Sequence, residues 1–233
     1  MRILGFQKTT LLDYPHKLAA TIFLGGCNLR CPFCHNAKLV TDTSSANFSE
    51  SEILTYLKKR LGILEGVCIT GGEPTLSKDL ISFLHNIKEL GFLVKLDTNG
   101  TNPDLVSDLI HRKLIDYIAM DIKNCPSKYE STVGCPLSMD AIHQSIQLLM
   151  ESPIDYEFRT TVVRELHTMD DLIEIGQWIS GARQYHLQKF VDSGNLLCPN
   201  QFTSYTDGEM IAFRDSLREF LPFVSLRGVN QPI

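Results

Sequence analysis

The 233-residue sequence lacks the features that mark exported, membrane-spanning and nucleic-acid-binding chains. No apolar run approaches the roughly 20 residues that span a bilayer, and the N-terminus has neither an apolar core of signal-peptide length nor a small-residue cleavage site. The formal net charge is −5 and no long basic run is present, which argues against nucleic acid or an anionic membrane as a partner. We therefore expect a cytoplasmic protein that binds neither nucleic acid nor membrane.

Repeats, low-complexity tracts and a recognisable linker are also missing. The 43% apolar and 21% charged residues are ordinary for a soluble globular protein. A chain of this length buries a sizeable core without disulfide help. We therefore expect residues 1–233 to form a single domain.

Seven cysteines are present, and three of them, Cys27, Cys31 and Cys34, lie within eight positions. In a reducing cytosol a tight cysteine cluster more often binds metal or does redox chemistry than forms disulfides. The tail of the cluster also spells C-x-x-C-H, a weak signal for haem attachment. Because c-type haem is attached outside the cytosol and Cys27 would have no role, we set haem aside.

The spacing C-x3-C-x2-C offers three thiolates from one loop. Each iron of a cubane 4Fe–4S cluster normally takes one cysteine, so three ligands leave one iron open to bind something else. A zinc site needs a fourth ligand, for which His35 is the only local candidate, and adjacent Cys34 and His35 do not converge easily on one tetrahedral ion. We favour an iron–sulfur cluster over zinc, and zinc over thiols without a metal.

Short apolar runs alternate with helical patterns along the whole chain. Helix starts are indicated by capping boxes at Ser49, Thr168 and Thr206, by Ser77 and by Pro103. Strands are predicted at 18–24, 67–70, 92–97, 115–122, 156–163, 184–190 and, as a last short strand, 223–226. Such alternation indicates a parallel sheet, and six strand–helix units are too few for a closed eight-stranded barrel. We expect an α/β fold that forms a partial (β/α)6 barrel with parallel strands.

The unusual residues follow the carboxyl ends of these predicted strands. Ligands bind parallel α/β folds there, because the strand-to-helix loops converge at that edge. The three cysteines follow the first strand, and the other clusters follow the next four: Gly71-Gly72-Glu73-Pro74, 97–100, Asp121 with Lys123, and Arg159 with His167. We expect this edge to be the active site.

The glycine pair before Glu73 has two interpretations. One is a tight turn after a strand. The other is a ligand site, because glycines let the backbone approach a ligand and the carboxylate accepts hydrogen bonds from an ammonium group. The three-cysteine cluster favours the second interpretation.

Together, C-x3-C-x2-C with Phe33 before the last cysteine and G-G-E-P after the next strand resemble the radical S-adenosylmethionine superfamily. The resemblance covers nearly the whole chain and implies a partial six-stranded barrel. It implies that Cys27, Cys31 and Cys34 hold one 4Fe–4S cluster, whose open iron binds the amino and carboxylate groups of S-adenosylmethionine. It further implies that one electron cleaves this cofactor to methionine and a 5′-deoxyadenosyl radical, which abstracts a hydrogen atom from the substrate.

Within that superfamily the sequence is similar to the activating enzymes of glycyl-radical enzymes, in which C-x-x-C-H-N recurs. The segments DTNG (97–100) and MDIK (120–123) resemble two segments that surround the methionine part and ribose of the cofactor. The resemblance thereby implies cofactor-binding roles for eight residues: Phe33 beside the adenine, Gly71, Gly72 and Glu73 at the amino group, and Asp97, Asp121, Lys123 and His167.

Two further segments indicate the partner. Cys68 is the only cysteine between the cluster motif and Gly71. This part of the chain therefore lacks the cysteine-rich, ferredoxin-like insert that several activating enzymes carry. The opening GFQKTTLLDYPHKLAATIFLGGCNLRCPFCHN and the segment FRTTVV resemble the longer type of anaerobic ribonucleoside-triphosphate reductase activating protein. The resemblance implies this glycyl-radical reductase as the partner and reduced flavodoxin or ferredoxin as the electron donor.

Three alternatives remain open. Pyruvate formate-lyase activating enzymes usually show D-G-P-G-x-R where this chain has 13–17, with His16 in place of a glycine. The other two are a radical enzyme acting on a small molecule or on RNA, of which the acidic composition disfavours RNA, and a zinc-stabilised binding module without catalysis. Among the remaining residues, Cys68 is expected in the core, and Arg159 is expected to pair either with a cofactor carboxylate or with a neighbouring acid. Cys125, Cys135 and Cys198 are expected to be thiols outside any second cluster.

Overall fold

The computed structural model describes residues 1–43 and 45–230, which fall into two compact units. Unit 1 consists of Met1–Asn28, Lys38–Ala119 and Pro153–Asp155. Unit 2 consists of Leu29–Ala37, Met120–Ser152 and the described residues from Tyr156 onward. The expectation of a single domain stays a prediction.

Unit 1 contains the first four strands and the helices between them. The strands are β1 (Ile3–Thr10), β2 (Ala19–Leu24), β3 (Gly66–Gly71) and β4 (Leu93–Thr98). The helices are α1 (Ala37–Thr41), whose first residue belongs to unit 2, α2 (Glu50–Lys58), α3 (Leu80–Glu89) and α4 (Pro103–His111). Strand β2 runs antiparallel to β1 and parallel to β3, which runs parallel to β4. Because Leu24 pairs with Gly71, β2 and β3 end level with each other.

Unit 2 contains the C-terminal strands and helices. Strand β5 (Tyr117–Asp121) begins in unit 1 and ends in unit 2. It is followed by β6 (Asp155–Val162), β7 (Tyr185–Lys189) and β8 (Val224–Arg227). The helices are α5 (Tyr129–Val133), α6 (Met139–Glu151), α7 (Met169–Trp178) and α8 (Asp207–Leu217). Strand β7 is parallel to both β6 and β8.

Within each unit the strands pair in the order in which they follow one another along the chain. The predicted α/β class with a mostly parallel, open sheet is confirmed. The strand count differs, because β1 precedes the predicted strands and pairs antiparallel. Residues 7–9 of β1 are exposed and polar, so the segment shows no continuous apolar run in the sequence. No helix among residues 1–43 and 45–230 is long and apolar enough to cross a bilayer.

Local signals predicted most helix starts. The capping boxes of Ser49, Thr168 and Thr206 are all present, and Pro103 is the first residue of α4. The prediction that Ser77 caps the next helix is wrong. A 3₁₀ turn over Pro74–Leu76 ends at Ser77, and α3 begins only after Asp79.

In each unit some polar residues line up on one face of the strands, because alternate side chains of a strand point to the same face. In unit 1 the register aligns Thr21, Cys68 and Lys95 across β2, β3 and β4. In unit 2 it aligns Arg159, His186 and Ser225 across β6, β7 and β8. The alternate residues, such as Ile22, Ile69, Leu96 and Leu187, are fully buried. The polar rows extend to the strand ends, where the predicted site residues lie.

Candidate active site

In unit 1 the glycine pair lies against the segment that leads to Cys27. The backbone N–H of Gly72 donates to the Leu24 carbonyl (2.9 Å), and that of Glu73 donates to the Gly26 carbonyl (2.7 Å). A Cβ atom on Gly72 would lie 2.0 Å from the Gly26 oxygen. Gly71 has a φ of +126°, and a Cβ there would lie 2.2 Å from the Leu24 oxygen. Only glycine therefore allows these two backbones to approach so closely.

The Glu73 carboxylate joins the end of β3 to the end of β4. Oε1 accepts hydrogen bonds from Thr75 N–H (3.0 Å), Thr75 Oγ1 (2.6 Å) and Thr98 Oγ1 (2.9 Å). Oε2 accepts one from the backbone N–H of Asn99 (2.7 Å). Burial raises the pKa of Glu73, although each of these donors favours the carboxylate. These hydrogen bonds fix the orientation of the carboxylate. Among them, three go to Oε1 and one goes to Oε2.

Asp97, at the end of β4, is held by a buried lysine. Its carboxylate accepts hydrogen bonds from Thr70 Oγ1 (3.1 Å) and from the Lys95 ammonium. Lys95 is only 2% exposed, and its Nζ lies 4.0 Å from Cys68 Sγ and 5.9 Å from the centroid of the Tyr117 ring. Sequence reasoning missed Lys95. The available signal was a charged residue inside the apolar run of a predicted buried strand.

In unit 2 the second part of the cysteine loop is held by its backbone. The Cys34 N–H donates to the Cys31 carbonyl (3.0 Å), which closes a turn. Arg30 N–H donates to the Val133 carbonyl and Cys198 N–H to the Pro32 carbonyl, each at 2.9 Å. Cys31 is buried and Cys34 is half-buried. All seven cysteines are thiols, and Cys68 lies in the core as predicted.

Phe33 packs edge-on against His167, at 6.5 Å between ring centroids and an interplanar angle of 83°. His167 is fully buried, and burial lowers its pKa. Nε2 lies 2.8 Å from the Lys123 carbonyl, while Nδ1 lies 3.1 Å from the Val163 N–H and 3.2 Å from the Val163 carbonyl. A carbonyl only accepts, so Nε2 carries a proton. The ring therefore supports Phe33 and the backbone of Lys123.

Asp121 lies between two cations at the end of β5. It accepts hydrogen bonds from Lys123 Nζ (2.9 Å) and Arg159 Nε (2.9 Å). Although burial alone would raise it, these two charges hold the pKa of Asp121 well below its usual range. Burial alone would lower the pKa of Lys123, but the charge of Asp121 raises it. Arg159 thus pairs with a neighbouring acid, one of the two predicted alternatives.

A second ion cluster in unit 2 was not predicted. The fully buried Glu157 forms a two-bond pair with the Arg227 guanidinium, at 2.8 Å for each bond. His186 Nε2 lies 3.2 Å from Glu157, and His186 Nδ1 lies 2.6 Å from Ser225 Oγ. Burial alone would raise the pKa of Glu157, but these partners hold it well below its usual range. Strand alternation within 156–163 was the only available signal.

Within each unit, several of the predicted site residues lie in contact with one another or with the cysteine loop. In unit 1 Gly71, Gly72 and Glu73 contact the backbone leading to Cys27. In unit 2 Lys123 interacts with Asp121. Within residues 1–43 and 45–230, no three His, Cys, Asp or Glu side chains converge on a single metal-ion position. A cubane cluster requires no such convergence, because each cysteine binds a different iron.

Comparison with known proteins gives one family and several relatives. Residues 21–179 match the Radical SAM superfamily. A protein of Methanocaldococcus jannaschii, named "Putative glycyl-radical enzyme activating enzyme", is 36% identical over 196 residues, covering 80% of this chain and 78% of that protein. A 7-carboxy-7-deazaguanine synthase of Methanospirillum hungatei is 34% identical over 148 residues, covering 61% of this chain and 58% of that enzyme.

Solved structures share the fold at low sequence identity. Streptococcus suis SuiB bound to S-adenosylmethionine has a TM-score of 0.70 at 15% identity, covering 89% of this chain and 52% of that chain. A domain of the pyruvate-formate lyase-activating enzyme from Bacteroides vulgatus has a TM-score of 0.58 at 16% identity, covering 70% of this chain and 99% of that chain. At these identities the likeness concerns the fold alone.

Proposed function

Because this chain belongs to the radical SAM superfamily, we propose that it activates a partner protein by generating a glycyl radical on it. The observation that carries this proposal is the Methanocaldococcus jannaschii relative, whose name gives that activity and which aligns over most of both chains. The motif C-x3-C-x2-C supports the same reading, because one open iron is what a chelating cofactor needs.

Cys27, Cys31 and Cys34 are proposed to hold one 4Fe–4S cluster, with S-adenosylmethionine on the open iron. The donor chemistry of the cluster site fits, because three thiols come from one short loop. Once bound, the cluster and S-adenosylmethionine supply reductive cleavage of the cofactor and removal of a hydrogen atom from the substrate.

The other residues would bind and orient the cofactor. The close contact of Gly72 with Gly26 holds the glycine pair beside the segment leading to Cys27, and Glu73 Oε2 offers an acceptor to a ligand's amino group. Asp97, fixed by Lys95, offers a carboxylate to the ribose hydroxyls. In unit 2 the Asp121–Lys123 pair offers both charges to the methionine part.

Phe33 is proposed to lie beside the adenine. Its ring is buried and its orientation is fixed by the edge contact with His167, so it presents a flat apolar surface without further ordering. Both ring nitrogens of His167 already bond to backbone groups. His167 is therefore proposed to contribute to cofactor binding by holding the Phe33 ring in place.

The proposed partner is the anaerobic ribonucleoside-triphosphate reductase, with pyruvate formate-lyase as the alternative. A reduced flavodoxin or ferredoxin is proposed as the electron donor. The protein is proposed to work in the cytoplasm, where reducing conditions keep its cysteines as thiols.

A second candidate function is a radical reaction on a small molecule. It is favoured by the Methanospirillum hungatei relative, an enzyme named for a small-molecule product. That relative aligns over 61% of this chain, less than the activating-enzyme relative does. Cofactor cleavage that is stimulated by a small metabolite without any protein partner would favour this second function.

The test is an EPR measurement on anaerobically reconstituted protein, mixed with S-adenosylmethionine, a reductant and the anaerobic ribonucleotide reductase. A glycyl-radical doublet is the expected result. Formation of 5′-deoxyadenosine without a doublet would reject this reductase, and pyruvate formate-lyase would be tested next. If an intact cluster gave neither product, the activating function would be refuted.

Single substitutions test the cluster ligands. Cys27→Ala, Cys31→Ala and Cys34→Ala should each abolish cofactor cleavage. Cys198→Ala is the matched control, because the contact of Cys198 with the loop uses its backbone N–H and survives the change. Retained cleavage in any of the first three variants would contradict the ligand assignment.

A further inference from the structure

The side-chain amide of Asn99 belongs to a closed ring of hydrogen bonds in unit 1. Asn99 Nδ2 donates to Asn28 Oδ1 (2.9 Å), and Asn28 Nδ2 donates to Thr101 Oγ1 (2.9 Å). Thr101 Oγ1 in turn donates to Asn99 Oδ1 (2.7 Å). Asn99 is 5% exposed, so this amide is fixed inside the protein.

The ring determines which way the amide faces. The backbone N–H of Thr101 also lies 3.0 Å from Asn99 Oδ1. A backbone N–H can only donate, so the atom that it contacts must be the amide oxygen. The opposite atom is therefore the NH2 group, which has two protons. One is used by Asn28, and Cys27 Sγ lies 3.9 Å from the same nitrogen.

We propose that Asn99 is a positioning residue that acts through Cys27: its amide N–H donates to the Cys27 sulfur and raises the reduction potential of the bound cluster. The proposal rests on the proposed function, in which Cys27 binds iron. Reduction adds negative charge that is shared with the ligand sulfurs, and a hydrogen bond to sulfur stabilises that charge. The ring makes the effect permanent, because the amide cannot rotate away without breaking three hydrogen bonds.

The same residue also contacts the glycine-rich segment. Its backbone N–H donates to Glu73 Oε2, while its side chain faces Cys27. Asn99 therefore connects the segment proposed to bind the cofactor's amino group with one cluster ligand. A side-chain substitution removes the contact with Cys27 and the bonds of the ring but keeps the backbone bond to Glu73, so the two roles are separable by mutation.

The test is an EPR-monitored redox titration of the reconstituted cluster without S-adenosylmethionine. Asn99→Ala should give a lower midpoint potential than the wild type. Asn99→Asp keeps the size of the side chain but turns a carboxylate oxygen toward Cys27, so its potential should be lower still. Asn102→Ala is the matched control, because the neighbouring Asn102 caps α4 through Leu105 N–H and should leave the potential unchanged.

The outcomes separate this inference from the proposed function. A wild-type protein that assembles no 4Fe–4S cluster would overturn both. If the wild type and Asn99→Asp hold full iron and sulfide and have equal potentials, only the role of Asn99 is overturned. A fall in potential in both Asn99 variants, absent from Asn102→Ala, would support it.

Discussion

Replacing His16 by glycine should stabilise this protein. His16 has a φ of 60°, in the left-handed region, and it is exposed. It follows Pro15 in a turn that the Lys17 N–H closes on the Tyr14 carbonyl (3.2 Å). Proline followed by a residue with positive φ is the pattern of a type II turn, whose third position favours glycine. This gives a backbone reason for the glycine that similar activating enzymes show at this position.

The magnitude follows from two opposing terms. A left-handed backbone costs a residue with a Cβ roughly 1–2 kcal/mol. Glycine loses more conformational freedom on folding, which offsets about 0.5–1 kcal/mol of that gain. The net stabilisation should be about 0.5–1 kcal/mol, which corresponds to about 1–4 °C in Tm for a chain of this size.

Thermal unfolding followed by circular dichroism measures the effect. Lys113→Gly is a parallel case, because Lys113 has a φ of 55°, and its Tm should also rise. His85→Gly is the opposing control, because His85 lies in the middle of α3, and its Tm should fall. If His16→Gly melted at or below the wild-type temperature while both controls behaved as stated, the turn argument would be refuted.

Gly72→Ala should destabilise the protein by about 1–3 kcal/mol in urea unfolding, since its Cβ would meet the Gly26 oxygen; an unchanged midpoint would contradict the close approach. Gly208→Ala in α8 meets nothing within 4 Å and should stabilise by about 0.4–1 kcal/mol. Glu157→Gln should lose less stability than the wild type when urea unfolding is compared at pH 7 and pH 3. The depressed pKa of Glu157 means that its contribution is present above its unfolded-state pKa and is lost as the pH falls toward the folded-state value. Thr206→Ala should cost about 1 kcal/mol, because it removes the capping box of α8.

The sequence was sufficient for features that depend on neighbouring residues. Buried parallel strands such as β2 and β3 are mostly apolar runs, and the capping boxes need only residues three positions apart. Strand β1 was missed because its polar second half hides its pairing with β2. The Ser77 prediction failed because Pro74, a better local signal, starts a 3₁₀ turn that ends there.

The site residues stay predictions from short motifs, and the contacts that hold them were predicted only in part. Asp97 and Asp121 were singled out from short segments, but Lys95, the cation beside Asp97, was missed. Lys95 precedes Asp97 by only two positions, and its burial depends on the register of β4 with β3. Arg227 reaches Glu157 from 70 residues away in the sequence. Such pairings depend on which strands become neighbours, and a single sequence does not specify that.

The four hydrogen bonds to Glu73 have a consequence for binding kinetics and thermodynamics. They form during folding, so the loop after β3 is already ordered before any ligand arrives. A flexible loop would lose about 1–2 kcal/mol of backbone entropy per residue on closing over a ligand. Here that loss does not recur with each binding event, and association should not wait for a conformational change. The heat capacity change of ligand binding in this part of the chain should accordingly reflect the apolar surface that the ligand buries, without a contribution from loop ordering.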